Sequence, residues 1–246
     1  QDNIAIGFNA LTSNLTGDNN VAVGNNAGLF ATTAAFSTFI GHNAGAGVTG
    51  VKLTGNDNTA IGASAGLLLQ GAAGLNTFVG KNAGAGATTV SNNTAVGAFA
   101  FDAGTGINNT AVGSGALGNA SNSGADNVAV GKDAGNGLTT GDDNTFIGHL
   151  AGVSATTAFS CTLVGEQASG GAVLTGGNNT IIGRAAGYEM TSGANNLCLG
   201  VDAGRTASPG GSITTADNII TLGNNTTDTA NIKVDWTVSS DQRDKT

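Results

Sequence analysis

The five residues NTAVG stand at 93–97 and again at 109–113, and NVAVG at 127–131, NTFIG at 144–148 and NTIIG at 179–183 repeat the same pattern. A recurring pentapeptide restricts the fold more than any other feature, because a short fixed period builds stacked units that each rest on their neighbours. The glycines that close the copies are Gly7, Gly24, Gly41, Gly62, Gly80, Gly97, Gly113, Gly131, Gly148, Gly165, Gly183, Gly200 and Gly223. Most neighbours are 16 to 18 residues apart, with one gap of 21 and a last gap of 23.

Each column of the repeat carries its own constraint. Immediately before the glycine stand Ile6, Val23, Ile40, Ile61, Val79, Val96, Val112, Val130, Ile147, Val164, Ile182, Leu199 and Leu222. No polar residue enters this column, so it is expected to be buried. Two residues earlier comes Thr in eight copies, from Thr38 to Thr180, with Ile4, Val21, Val128, Leu197 and Ile220 elsewhere. Side chains two apart on a strand share a face, so both columns are expected to line the interior. The residue between them, Ala, Phe, Leu, Ile, Cys or Thr, is expected to face outward.

Four residues before the glycine, Asn fills ten of thirteen copies, including Asn58, Asn76, Asn93, Asn109, Asn127, Asn144, Asn179 and Asn196. Asn tolerates left-handed backbone and bonds to its own turn, and stacked Asn side chains form amide ladders. Three residues after the glycine, Ala recurs in twelve copies, from Ala10 to Ala203. Only a small side chain fits such a position, which predicts a tight corner.

A coil of about 17 residues is too short for a propeller blade and too poor in helix formers for helical repeats. The sequence therefore predicts an all-β fold, a parallel β-solenoid or β-roll of about 13 rungs over residues 3–223. Stacked at ~4.8 Å per rung, it forms a rod on the order of 60 Å long. A terminal strand or lead-in is expected over 224–238 and a separate junction over 239–246. The chain opens within a repeat and is expected to be a piece of a longer protein.

Composition excludes several functions. Net charge is −8 with eight basic residues, the wrong balance for neutralising phosphates, so no nucleic-acid partner is expected. No apolar run approaches the ~20 residues that cross a bilayer, so no membrane insertion is expected. Cys161 and Cys198 occupy different repeat positions and are expected to be free buried thiols. A strand apolar on both faces leaves one face to be covered, and self-association covers it. The pattern by itself permits a dimer or a trimer.

The pattern N-[TV]-A-[IV]-G-x-x-A resembles the head repeats of trimeric autotransporter adhesins. That resemblance implies a left-handed, trimeric β-roll, although the period here is longer than in those heads. The segment DWTVSSDQRDK at 235–245 is similar to the junction where a phage tail fibre or tailspike meets an endosialidase-type intramolecular chaperone. Ser240, Asp241, Arg243 and Lys245 match its S-D-x-R-x-K motif. The resemblance implies a structural protein of the phage tail, extracellular on the virion, with a homotrimer as partner and a host glycan or protein as receptor. It makes Ser240 the nucleophile and Lys245 its base in a single self-cleavage between Ser239 and Ser240. A hydroxyl needs such a base, and Lys serves when burial lowers its pKa. The chain ends at Thr246, short of the chaperone body, so no cleavage and no other enzyme activity are expected of it alone.

Two alternatives stay open: a bacterial trimeric adhesin head, and an ice-binding β-solenoid suggested by the threonine column. Metal binding has little support. The acidic turns at Asp18, Asp57, Asp126, Asp142 and Asp143 lack the fixed spacing of calcium-binding β-helices. His42 and His149 lie six rungs apart. No cofactor and no metal are expected. The least regular loops, 46–57, 67–75 and 99–107, and the stretch carrying Tyr188 and Met190, are where receptor contacts or packing against a neighbouring subunit are expected.

Overall fold

The computed structural model describes residues 2–118, 122–206, 208 and 210–226. Thirteen strands of three residues form the fold: β1 (Ile4–Ile6), β2 (Val21–Val23), β3 (Thr38–Ile40), β4 (Thr59–Ile61), β5 (Thr77–Val79), β6 (Thr94–Val96), β7 (Thr110–Val112), β8 (Val128–Val130), β9 (Thr145–Ile147), β10 (Thr162–Val164), β11 (Thr180–Ile182), β12 (Leu197–Leu199) and β13 (Ile220–Leu222). They make one parallel sheet in chain order. Every pair aligns like with like: Thr38 opposes Thr59, Phe39 opposes Ala60 and Ile40 opposes Ile61. Among the described residues there is no helix. The chain is a β-solenoid, as the period requires.

The closing glycine makes each corner. From Gly7 to Gly183 these glycines have φ between 129° and 143°, a region closed to side chains. Close approach adds a second reason: a Cβ on Gly24 would sit 2.5 Å from the carbonyl oxygen of Gly41 on the next rung. The long gap before β4 leaves the register intact, because the extra residues leave the coil as a short excursion. Val48 and Val51 pair antiparallel there, and Leu53 rejoins the stack between Ala31 and Gly71.

The facing of the strands is the reverse of the expectation. The middle residues Ala22, Phe39, Ala60, Phe78, Ala95, Ala111, Ala129, Phe146, Leu163, Ile181 and Cys198 are all fully buried. The columns expected inside point outward: Ile40, Ile61, Val96, Val112, Val130, Ile147 and Ile182 are 36–41% exposed. Val23, Val79 and Val164 are half-buried, as are the threonines that begin most strands. Alternation explains the reversal. The Asn column is buried inside the coil, and the residue two positions on shares its face. That residue is the middle one.

The interior is narrow, and side-chain volume is balanced across it. Phe39 lies between Gly28 and Gly45, where an added Cβ would meet its ring. Phe78 occupies the same place over Gly84, and Phe146 lies between Gly135 and Gly152. Where the position four after the corner holds a large residue, Phe101 or Leu117, the middle strand residue is Ala95 or Ala111. One cluster of buried apolar side chains, from Leu11 to Ile213, runs the length of the coil.

The Asn column supplies the polar spine. The backbone N–H of Asn144 donates to Asn127 Oδ1 at 3.0 Å, and Asn127 N–H donates to Asn109 Oδ1 at 3.0 Å. The carboxamide nitrogens donate across the coil to carbonyls of the following turn, as Asn127 Nδ2 does to Gly141 O at 3.0 Å and Asn144 Nδ2 to Ala158 O at 2.8 Å. Some also bond amide to amide, as Asn76 does to Asn58 at 3.0 Å. Asn93, Asn109, Asn179 and Asn196 make the same cross-coil bond, to Gly106, Gly124, Gly193 and Ala216. A buried amide is tolerable only when so satisfied.

Candidate functional site

The outward face of the sheet is one stripe along all thirteen strands, made of each strand's first and last residues. None of those residues is charged, and their side chains are Thr, Val, Ile or Leu. Thirteen strands spaced by ~4.8 Å and about 10 Å wide give a face of roughly 600 Å² in projection. Scattered exposed aliphatics are ordinary on a soluble surface; here Val, Ile and Leu run unbroken along the last strand position, beside a column that is Thr on eight of the thirteen strands.

The strand's N-terminal margin is equally regular. Two residues before each strand from β2 to β13 the backbone is left-handed, with φ from 51° to 62° between Asn19 and Asn218. The N–H groups there continue the rung-to-rung bonding, as Phe36 does to Asp18 O at 3.0 Å and Leu75 to Asn56 O at 3.0 Å. All twelve residues of this column are exposed.

Titratable side chains form small surface pairs. His149 lies 3.9 Å from Glu166, and Lys132 lies 3.6 Å from Asp133. Lys81 sits over the Phe99 ring at 5.8 Å. Near the C-terminal end Asp202 bridges Arg205 at 2.8 Å and Arg184 at 3.6 Å, while Arg205 stacks on Tyr188 at 4.8 Å. A cleft of about 270 Å³ opens beside these residues. Its acids are already engaged: Glu189 accepts from Thr206 Oγ1 at 2.8 Å. The hydroxyls of Ser212 and Thr206 hold its carboxyl below the usual range. Among the described residues no group of His, Cys, Asp and Glu is arranged to hold a metal.

The irregular loops divide their apolar residues. Leu53, Leu69, Phe101 and Met190 are buried in the chain's own core, whereas Val51, Leu68, Leu75, Phe99 and Ile107 are 36–59% exposed. Cys161 and Cys198 are free and buried. Burial raises both thiols, Cys198 to about 11. Cys161 stands in the Asn column, its Sγ 3.5 Å from Gly176 O and 4.0 Å from Asn179 Nδ2.

Ser240, Lys245 and the Ser239–Ser240 bond lie outside the described residues, as does the lead-in from residue 227 onward. The orientation of the stripe is not evident from any single column of the sequence; its signal is that Phe101 and Leu117, the large residues four after the corner, accompany Ala95 and Ala111 in the strand middle. Comparison with protein-family models, curated proteins and solved structures finds no match to this chain.

Proposed function

We propose that the chain is a rigid segment of a phage tail fibre or tailspike, in which three copies pack the outward faces of their sheets together. The rod acts as a spacer, and its exposed loops are carried where they meet a host-cell glycan or protein. The observation that carries the self-association is the uncharged stripe, in a chain whose net charge is −8. An acidic molecule that keeps one long face free of charge has a face on which copies of itself do not repel. Placement on a virion rests on the similarity of Ser240, Asp241, Arg243 and Lys245 to the chaperone junction.

Light scattering tests the assembly: the expected mass is three times 23.7 kDa, and a mass of one chain at every concentration overturns it. The junction is tested by joining the chain to a chaperone body of the endosialidase type. Self-cleavage is expected to give two bands on a denaturing gel, and Ser240→Ala one.

A second reading, an ice-binding sheet, is favoured by one observation. Thr38, Thr59, Thr77, Thr94 and Thr110 stand on consecutive rungs at the outward face, half-buried. Thermal hysteresis in dilute solution decides it; the fibre reading expects none.

A further inference from the structure

The left-handed column two residues before each strand holds Asn, Asp or Ser in ten of its twelve rungs, and Phe36 and Leu75 in the other two. Asn and Asp accept a positive φ because their short polar side chains bond locally, whereas a bulky apolar residue there is an outlier. Phe36 has φ 55° and is 62% exposed, and Leu75 has φ 60° and is 59% exposed. Each residue is thus unfavourable twice over for the lone coil: its backbone is strained and its side chain is in water. Leu11, Phe99, Phe101, Leu117 and Leu150 hold the same backbone elsewhere in the coil, so what sets Phe36 and Leu75 apart is a large apolar side chain in water within a column that is otherwise Asn, Asp or Ser.

We propose that Phe36 and Leu75 are contact residues that insert into a second copy of this chain at the margin of the sheet stripe. The proposal rests on the self-association argued above and assigns residues to it. They flank β3 and β5, two rungs or about 10 Å apart along the rod. Asp57 stands between them in the same column, so the margin remains a polar rim with two apolar knobs. The area favours a second copy as occupant. The stripe alone offers about 600 Å², below the ~800 Å² per partner of a standard interface. Adding a margin about 5 Å wide along the rod brings it to roughly 900 Å². The flanking column then lies at the rim, where acids such as Asp57 stay in water, and Phe36 and Leu75 are its two apolar members. Copies of one chain also share the rung spacing, so knobs two rungs apart meet equivalent rungs on the partner without mismatch.

The test is the double variant Phe36→Asn, Leu75→Asn. It installs the residue that the column most often holds, and one at ease at this φ, so the coil itself is expected to fold as before. Circular dichroism checks the fold, and light scattering over a dilution series measures assembly. The expected result is an unchanged spectrum with trimer dissociation at a concentration at least tenfold higher than for the unsubstituted chain. A variant that dissociates at the same concentration overturns the assignment of these two residues and leaves the trimer standing. A variant that loses its β spectrum also overturns it, since the residues then serve the single coil. If the unsubstituted chain is itself monomeric throughout, the self-association falls, and this inference with it.

Discussion

Replacing Cys161 with Asn is expected to stabilise the protein. Position 161 belongs to the Asn column, and the ladder is complete on the rung beneath it, where Cys161 N–H donates to Asn144 Oδ1 at 3.0 Å. Above it the ladder lapses. The thiol makes only long contacts, 3.5 Å to Gly176 O and 4.0 Å to Asn179 Nδ2. A rung that keeps its Asn has firm bonds instead, such as 2.8 Å from Asn179 Nδ2 to Gly193 O and 3.0 Å from Asn196 N–H to Asn179 Oδ1. An Asn at 161 gains two such bonds, to Gly176 O and from Asn179 N–H. At about 0.5–1.5 kcal/mol net each, less the ordering of a longer side chain, the gain is about 1–2 kcal/mol. For a chain of this size that raises the melting temperature by roughly 2–8 °C. The converse substitution, Asn127→Cys, removes an amide that makes cross-coil and inter-rung bonds, and is expected to lower stability by at least as much. Both are read by thermal and urea melts under reducing conditions. If Cys161→Asn melts at or below the unsubstituted chain while Asn127→Cys is neutral, the amide spine is not what holds the rungs in register.

Three further outcomes follow from the same geometry. Gly45→Ala places a Cβ against the Phe39 ring at φ 55° and is expected to destabilise by about 2–4 kcal/mol. Phe39→Ala costs about 3–5 kcal/mol, and a chemical melt of the double variant tests whether the two losses couple, as contacting residues should. Ile61→Lys lies on the outward face at 36% exposure, so the melt of the single coil changes by under about 1 kcal/mol, whereas the proposed assembly is lost on a sizing column. Burial raises the Cys198 thiol from 9.0 to about 11, so the fold holds the proton where the unfolded chain releases it. Its contribution to stability is whole below pH 9 and is lost as pH rises to about 11. Melts across that window should fall more steeply for the unsubstituted chain than for Cys198→Ala.

The architecture was legible because it depends on period and on residue types that only one backbone conformation accepts. Thr38–Ile40 and its twelve counterparts are strands that start and stop where the columns say, since the closing glycine permits a corner nothing else can make. The facing was not legible by the same route. A strand of three residues that is apolar at every position has two solutions under a period of two, and an absence of polar residues from the column of Ile40 and Ile61 is no proof of burial. The deciding information was non-local. Phe39 demands glycine at 28 and 45, and Phe101 goes with Ala95. Such pairs are distant in sequence and appear only when one coil is laid over the next. The Asn column was visible as a ladder, yet the bond from Asn144 Nδ2 to Ala158 O across the coil depends on the width of the interior, which no single column reveals. Among the loops, Leu53 and Val51 differ by two positions and by burial, because the short excursion there returns one of them to the stack.

The reversed facing leaves a contrast between the two sides of the sheet. Inside, the middle position varies in volume from Ala to Phe, although close packing normally fixes interior volume most tightly. Outside, the last strand position holds only Val, Ile or Leu, although a solvated surface tolerates almost anything. The interior can vary because each Phe is offset within the same coil by a nearby glycine. The outer face has no such compensating position in its own chain, and its restriction to Val, Ile and Leu at the last strand position agrees with the self-association proposed above. An ordered array of hydroxyls would require Thr throughout, yet the first strand position admits Ile4, Val21, Val128, Leu197 and Ile220. Those exchanges break a hydroxyl lattice but leave the surface uncharged. An uncharged surface with a fixed rung spacing and no regular hydroxyl array fits the self-association proposed above better than it fits ice.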